Sequence, residues 1–220
     1  MSTSAVTIGD MAGSIVMRPR KKRAGQYHHG DLRRALIDQA LRTIDKLGVE
    51  GLTLRSVGEA LGVSRTALYR HFSNKQGLVA AVAREGFRTL RLSLVDAWER
   101  NGRGRAGFEA MGEAYLEFAV GHPSHYRVMF GRFVESCARD PELIEEATAA
   151  FQALVDALVD QQRDGGVRKD DPQMLARFVW SLTHGIAMLV IDGQLRDADE
   201  SGAALNRYAA ARIRAAIAAS

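Results

Sequence analysis

The amino-acid sequence predicts an all-α fold of about nine helices, and three observations support this prediction. Only four of the 220 residues are proline, which favours long uninterrupted elements over a loop-rich β fold. Apolar residues recur three and four positions apart through most of the chain, which is the spacing of one face of an α-helix. Serine, threonine or aspartate precedes several of these segments, and glycine follows several of them, as at helix caps.

The first two predicted helices lie between residues 31 and 61. The first covers about residues 31–47, and Gly48 stands at the position of a C-terminal cap. The second begins after Thr53, an N-cap candidate, and ends before Gly62. The inward face of the second helix is expected to consist of Val57, Ala60 and Leu61.

Two further helices begin at serine residues. Ser64 is the expected N-cap of a third helix, over roughly residues 65–71. Ser73 is the expected N-cap of a fourth helix, in which Gln76 completes a capping box. The fourth helix keeps its phase to about residue 100, with an inward stripe that consists of Leu78, Val79, Val82, Phe87, Leu90, Leu94 and Trp98.

Five helices are predicted beyond residue 100. The segment NGRGRAG interrupts the fourth helix, and the fifth ends before His122-Pro123. Asp140-Pro141 and Asp171-Pro172 each combine an N-cap with a proline at the first helical position, which is a favourable helix start. The remaining helices are expected at about residues 123–132, 141–163, 172–194 and 200–218.

Charge is distributed unevenly along the chain, whose formal net charge is +4. Residues 18–75 hold thirteen Lys and Arg against five Asp and Glu, whereas residues 76–220 hold seventeen against twenty. A basic first part favours a polyanionic partner, most often nucleic acid, although a solvated charged face gives the same counts.

The N-terminal residues and the cysteine content indicate the cellular compartment in which the protein is expected. Residues 1–26 lack helical periodicity and contain the basic run RPRKKR, so we expect a flexible basic arm. Cys137 is the single cysteine, which leaves no disulfide framework and favours a reducing compartment. No apolar run approaches the roughly 18 residues of a membrane span, and no secretory signal pattern precedes the basic run. We expect a cytoplasmic protein with no membrane partner.

The second and third helices, joined by the residues LGVS, form the pattern of a helix-turn-helix. Leu68 and Phe72 are four residues apart and should pack inward against Val57 and Leu61. The remaining side chains of the third helix would then face outward, where arginine can bind guanine or phosphate and threonine can contact a thymine methyl. Lys75 is well placed for a phosphate.

The run TLRSVGEALGVSRTALYRHFSNKQGLVAAV resembles the DNA-binding domain of the tetracycline-repressor (TetR) family of transcription regulators, whose pattern is GVS-x-x-x-LY-x-HF-x-x-K-x-x-L. The preceding YHHGDLRRALIDQAL resembles one subset of that family, and the resemblance covers residues 27–82. It implies a DNA-binding domain over residues 27–76 and a helical effector-binding and dimerisation domain over residues 77–220. The implied DNA-facing residues are Thr53, Ser64, Arg65, Thr66, Ala67, Tyr69, Arg70, His71 and Lys75.

Within that set, the resemblance assigns different roles. Tyr69 and Lys75 match the family's usual contacts to the DNA backbone. Arg65, Thr66 and Arg70 stand at positions that vary within the family and that determine which operator sequence is bound. A structural alternative is that Tyr69 and His71 complete a small core and that the arginines are ordinary surface charge.

The segment FVWSLTHGIAMLV resembles a Trp-x-x-x-His-Gly pattern found in a C-terminal domain of some family members. Trp180 and His184 are four residues apart and lie on one helix face. Two interpretations remain open: they line an effector cavity or the subunit interface, or they form a hydrogen-bonded pair in the core.

The resemblance further implies a homodimer that binds a pseudo-palindromic DNA operator, most often as a repressor, and that is released by a small-molecule effector. No cofactor or metal is expected, and the protein would be nucleoid-associated when bound to DNA. The effector-pocket candidates are Tyr115, Phe118, Met129, Phe130, Phe133, Phe151, Trp180, His184 and Met188. The dimer-interface candidates are Leu182, Ile186, Leu189, Val190, Tyr208, Ile213 and Ala216.

Two other classes of function are compatible with parts of the sequence. His122 and His125, with Glu117 and Cys137 nearby, offer metal-ligand chemistry, but Pro123 interrupts the helical spacing of a catalytic zinc motif. The RPRKKR run is compatible with anionic lipid as well as with DNA. The phosphate-loop and hydrolase-elbow motifs do not occur, so no enzymatic activity is predicted.

Overall fold

A computed structural model describes residues 29–133, 140–194 and 202–218, and helices dominate all three ranges. The all-α prediction is confirmed. The predicted arm over residues 1–26 and Cys137 lie outside the described residues. The helices are α1 (His29–Leu47), α2 (Leu54–Leu61), α3 (Arg65–His71), α4 (Lys75–Arg100), α5 (Gly104–Gly121), α6 (Pro123–Phe130), α7 (Pro141–Arg163), α8 (Pro172–Ile191) and α9 (Gly202–Ile217).

Helix α4 is the central element of the fold, because it packs against α1, α5, α6 and α7. All seven residues of its predicted inward stripe are buried, so that prediction is confirmed. Ala80, Ala81 and Ala83 are buried as well, which means that α4 is enclosed on all sides over residues 78–83. Helix α8 lies on the other side of α5 and packs against α5, α7 and α9.

Helix α2 begins and ends at the predicted caps. The hydroxyl of Thr53 accepts a hydrogen bond from the Ser56 amide at 3.0 Å, and the Ser56 hydroxyl accepts one from the Thr53 amide at 3.4 Å. Gly62 follows the helix with φ +66°, a left-handed conformation that favours glycine. The Ser64 hydroxyl then accepts a hydrogen bond from the Ala67 amide at 3.2 Å, which caps α3 as predicted.

The contact between α2 and α3 is close. Val57, Leu68 and Phe72 are buried, and a Cβ at Gly58 would lie 3.2 Å from Leu68 Cδ2.

The predicted inward position of Ala60 is wrong: Ala60 is exposed. Leu54 is buried instead, because positions 54, 57, 58 and 61 fall on one helix face and position 60 lies to its side.

Several predicted boundaries shift in the structure. The N-cap of α4 is Asn74 and not Ser73: the Asn74 side-chain oxygen accepts a hydrogen bond from the Gly77 amide at 2.8 Å. Asparagine caps as well as serine does, so the helix begins one residue later. Helix α5 already begins at Gly104, inside NGRGRAG, and helices α6 and α8 end at Phe130 and Ile191, before their predicted ends.

Two glycines of α5 differ in what a methyl group would meet. A Cβ at Gly107 would lie 2.8 Å from the Trp98 carbonyl oxygen and 2.9 Å from its ring, whereas a Cβ at Gly112 would meet no atom within 4 Å. We therefore expect Gly112→Ala to stabilise the protein by about 0.5–1 kcal/mol, since alanine loses less backbone entropy in a helix. Gly107→Ala should destabilise it by about 1–3 kcal/mol through overpacking. Urea denaturation measures both, and equal stability of the two variants would contradict this packing.

Candidate functional site

Helix α3 presents a mainly polar surface to solvent. Arg65, Thr66 and Arg70 are exposed, and the Tyr69 side chain is 50% exposed although it is large and aromatic. Leu68, between them, is buried against α2 and fixes the orientation of the helix. The alternative in which Tyr69 completes the core is therefore wrong.

The predicted DNA-facing set is not uniform in the structure. Ala67 and His71 are partly buried, so they lie at the side of the exposed face. Thr53 and Ser64 are exposed, but their hydroxyls are already engaged as helix caps. A hydroxyl oxygen that accepts a hydrogen bond from a backbone amide serves mainly to cap the helix. The same hydroxyl can still contact DNA through its hydrogen and its second lone pair.

The two arginines of α3 carry uncompensated charge. Neither Arg65 nor Arg70 has an ion-pair partner among the residues that the structure describes, whereas Arg55 on α2 binds Glu59 at 2.7 Å. A cation without an intramolecular partner loses no protein contact when it meets an external anion. The exposed face of α3 can therefore bind a polyanion such as DNA.

Lys75 lies at the first turn of α4 and contacts the protein itself. Its ammonium nitrogen donates a hydrogen bond to the Glu50 carbonyl oxygen at 3.2 Å and lies 5.4 Å from the ring centre of Phe133. An ammonium group has three donors, so a contact with phosphate is compatible with this bond. The contact ties α4 to the loop between α1 and α2, next to the helix-turn-helix.

The C-terminal helices line a cavity of about 340 Å³ that is partly open to solvent. Its walls come from α4, α5, α7, α8 and α9, and the end of α6 contributes Phe130. The lining is dominated by apolar side chains, namely Phe87, Leu90, Leu94, Phe108, Met111, Tyr115, Phe130, Ala147, Ala150, Phe151, Leu154, Val179, Trp180, Ala210 and Ile213. A volume of this size lies within the range of about 300–1,000 Å³ that is typical of small-molecule sites.

The cavity brings together only part of the predicted effector-pocket set. Tyr115, Phe130, Phe151 and Trp180 line it. Phe118, Met129, His184 and Met188 do not, because their side chains pack elsewhere in the core, and Phe133 lies beside Lys75 near the helix-turn-helix. The sequence shows which residues are aromatic but not on which side of a packed helix a void remains.

A buried hydrogen-bond network borders the cavity. The Trp180 indole donates to the Tyr115 hydroxyl at 3.1 Å, the hydroxyls of Tyr115 and Tyr126 are 2.8 Å apart, and Tyr126 Oη lies 2.6 Å from His184 Nδ1. The Trp-His pair therefore combines both interpretations: Trp180 lines the cavity, and His184 is bonded to tyrosine in the core. Sequence spacing alone could not supply Tyr126 as the link.

Burial controls the ionisation of this network. It raises the pKa of Tyr115 to about 12 and raises the pKa of Tyr126 further, and it lowers the pKa of His184. Near pH 7 both phenols keep their protons and the imidazole is neutral. The network is thus uncharged near pH 7.

Charged side chains reach the cavity between α5 and α9. Arg214 Nη1 lies 3.0 Å from Glu109 Oε1, and Arg105 Nε donates to the same oxygen at 3.0 Å. Glu109 and Arg214 line the cavity, whereas Arg105 does not. Sequence analysis missed this pair, because the two residues are far apart in the chain and no periodic pattern relates them.

The predicted dimer-interface residues divide into two groups. Leu182, Leu189, Tyr208 and Ala216 are exposed, and Val190 is partly buried. Ile186 and Ile213 are buried within the same protomer, so their assignment to a subunit interface is wrong. Ile186 lies on the side of α8 that faces the core, and Ile213 lies on the core-facing side of α9.

Two exposed residues of α8 extend this surface beyond the predicted set. Met174 is 56% and Phe178 is 45% exposed, and they lie eight and four residues before Leu182. Their spacing from Leu182 could have indicated them. By length and composition alone α8 could also cross a membrane, and one third of its most apolar stretch is buried.

The described residues contain no group of three or more side chains suited to hold a metal ion. The rings of His122 and His125 meet edge to face, with centres 5.8 Å apart. Burial, and secondarily the neighbouring His122, lowers the pKa of His125 to about 4, so its imidazole is neutral at pH 7. This contact is an aromatic packing pair.

Comparison with known proteins gives matches over both parts of the chain. Residues 36–82 match bacterial regulatory proteins of the tetR family, and residues 108–213 match the tetracyclin repressor-like C-terminal domain. The transcriptional regulator RutR of Escherichia coli K12 is 27% identical over 70% of this chain and 73% of its own. The tetracycline repressor protein class C of Escherichia coli is 49% identical over 23% of each chain.

Solved structures match over most of the chain. A Rhodococcus sp. RHA1 protein described as having unknown function superposes with a TM-score of 0.79 at 31% identity, and the match covers 88% of this chain and 98% of that one. The matched family consists of regulators and not of enzymes, which confirms the prediction of no enzymatic activity. The capped helix-turn-helix with its exposed arginines, the helical C-terminal part and these matches agree: the chain belongs to the TetR family of transcriptional regulators and carries its helix-turn-helix DNA-binding domain.

Proposed function

We propose that the protein is a cytoplasmic transcriptional repressor that binds a palindromic operator as a homodimer and leaves it when a small molecule fills the C-terminal cavity. The observation that carries this proposal is the exposed face of α3, on which Arg65 and Arg70 project without partners in the described part of the chain. DNA is the polyanion that a helix-turn-helix of this family reads.

The geometry of α3 supports entry into a major groove. The helix has only seven residues, and Ser64, Arg65 and Thr66 stand at its N-terminal end, where recognition helices contact base edges. Arg70 lies further along and can reach either a base or a phosphate. Tyr69, half exposed, presents a hydroxyl that can bind a phosphate oxygen.

The exposed apolar face of α8 and α9 supports a homodimer. Met174, Phe178, Leu182 and Leu189 follow one face of α8, and Tyr208 is exposed on the neighbouring α9. A Cβ at Gly185 would meet no atom within 4 Å, so this position allows a second helix to approach closely. Two copies of α8 and α9 would bury these side chains as a four-helix contact.

Helix α4 offers a physical route for effector release. Its first turns are packed beside the helix-turn-helix, and Phe87, Leu90 and Leu94 further along line the cavity. A ligand that fits better when these side chains move would favour a different position of α4, and thereby another separation of the two α3 helices.

Selection of bound sites from a random duplex library tests the function directly. We expect an inverted repeat whose half-sites are about one helical turn apart, ~34 Å or slightly more, as a two-fold dimer requires. A reporter gene placed behind the selected site should be expressed more strongly when the protein is absent. If no sequence is selected, specific DNA binding is contradicted. If reporter expression is weaker without the protein, repression is contradicted.

Arg65→Ala and Arg70→Ala should each weaken specific binding by ~1–3 kcal/mol and relax the preference at one operator position, because a bidentate contact with a base is lost. Fluorescence anisotropy with the selected operator and its point variants measures both effects. Arg100→Ala is the matched control, since Arg100 binds Asp96 at the far end of α4. An unchanged base preference in both variants would refute the assignment.

Lys75→Ala should lower the affinity for all sequences alike and reduce the slope of log affinity against log salt by ~1, because one phosphate contact disappears. Anisotropy titrations at several salt concentrations measure the slope. Lys75→Arg should retain it. A loss of affinity restricted to one base position would indicate a base contact instead of a phosphate contact. An unchanged salt slope would mean that Lys75 contacts only Glu50 and Phe133.

Leu182→Glu should convert the dimer to a monomer and abolish operator binding at moderate protein concentration, because a charge at the centre of the apolar face must lose its water on association. Analytical ultracentrifugation measures the mass. Leu92→Glu is the control, since Leu92 is 52% exposed on α4, outside this face. A Leu182→Glu protein that remains dimeric would place the interface elsewhere.

A further inference from the structure

We infer that the cavity binds a predominantly hydrocarbon ligand with a single carboxylate, and that Arg214 recognises that carboxylate. The inference deepens the proposed function by giving the chemical class of the effector, and it rests on that proposal for the link between ligand and DNA release. The ligand class itself follows from the walls of the cavity.

The apolar walls of the cavity favour a ligand that consists mostly of hydrocarbon. Aliphatic and aromatic side chains from six helices form most of the surface, including Phe87, Leu94, Phe108 and Phe151. Filling such a space removes apolar area from water on both partners, which is favourable by roughly 25 cal/mol per Å² of buried apolar surface. A strongly polar molecule would lose its hydration there without compensation.

The polar atoms away from the charged pair are already hydrogen-bonded. The single donor of Trp180 is given to Tyr115, which also bonds Tyr126, and the Thr183 hydroxyl donates to the Val179 carbonyl oxygen at 3.0 Å. A ligand group that only accepts hydrogen bonds, such as a carboxylate, would find no free donor beside these groups. The polar group of the ligand therefore belongs at the other side of the cavity, where Glu109 and Arg214 lie.

The charge balance at that side selects an anion. One carboxylate, Glu109, is shared by two guanidinium groups, those of Arg105 and Arg214, and both contact the same oxygen. The group of three carries one excess positive charge. A ligand carboxylate is attracted by it and can form two parallel hydrogen bonds with a guanidinium, whereas an ammonium group is repelled.

A change of ion-pair partner at Arg214 leaves no charged group without a partner. When Arg214 turns toward a ligand carboxylate, Glu109 keeps its bond with Arg105. Arg214 has five donors, and its ion pair with Glu109 involves one of its terminal nitrogens, so partial sharing is also possible. Because Arg214 belongs to α9 and Glu109 to α5, binding would loosen the ion pair that joins these helices, next to the proposed dimer face.

Isothermal titration calorimetry with three probes of equal chain length tests the inference: decanoate, 1-decanol and decylamine, each below its micelle concentration at pH 7. Decanoate should bind roughly 10–100 times more tightly than decanol, since a charge-assisted hydrogen bond contributes about that factor. Decylamine should bind more weakly than decanol. Equal binding of the three, tighter binding of the amine, or binding of none of them would overturn the inference.

Four variants separate recognition from stability. Arg214→Gln should lower decanoate affinity roughly tenfold or more and leave decanol affinity unchanged. Glu109→Gln should raise decanoate affinity, because Arg214 loses its competing carboxylate; a merely structural ion pair would not produce an increase. Gly112→Leu should abolish binding of both probes, since Gly112 lines the cavity and its Cβ position is open. Arg100→Gln should bind like the unaltered protein.

Thermal melting of each variant shows whether it is folded. If Arg214→Gln does not fold, Glu109→Gln decides: an unchanged or lower affinity for decanoate overturns the role of Arg214. Anisotropy with operator DNA separates this inference from the proposed function. Decanoate that binds without releasing DNA would refute effector release only, whereas release by a cationic or neutral molecule with no decanoate binding would refute the ligand class only.

Discussion

The burial of α4 is the constraint on which the other features of the protein depend. Residues 78–83 of α4 are buried in succession, so the helix cannot shift without disturbing its packing against α1, α5, α6 and α7. The close approach of α6 illustrates this: a Cβ at Gly86 would overlap the side chain of Met129. The same helix begins directly after the helix-turn-helix and later lines the cavity, so it is a structural part of both regions.

Helix α3 is too short to be stable alone, and its usefulness depends on how firmly its neighbours hold it. Capping side chains at Thr53 and Ser64 define where α2 and α3 begin, and Leu68 fixes which face of α3 is hidden. Arg65 and Arg70 are thereby held outward as a consequence of packing on the opposite side. Rigid presentation of this kind lowers the entropy that is lost when a surface binds a partner.

The C-terminal part combines an uncharged network with a charged end. Tyr115, Tyr126, Trp180 and His184 satisfy one another in the interior, which specifies the packing of α5, α6 and α8. Glu109 and Arg214 lie across the cavity, partly exposed, where a change of partners costs less. The two features differ in environment: the network is buried and internally hydrogen-bonded, whereas the ion pair is partly exposed to solvent.

The sequence by itself determined the helices, most of their caps and the outward face of α3, because helix periodicity and capping are local properties of the chain. It also identified Trp180 and His184 as neighbours. Tertiary structure alone decided that Ile186 and Ile213 face the core while Met174 and Phe178 do not, that Tyr126 links the Trp-His pair, and that Arg214 meets Glu109. These facts depend on how helices distant in sequence pack, and no periodicity within one helix encodes the position of its neighbours.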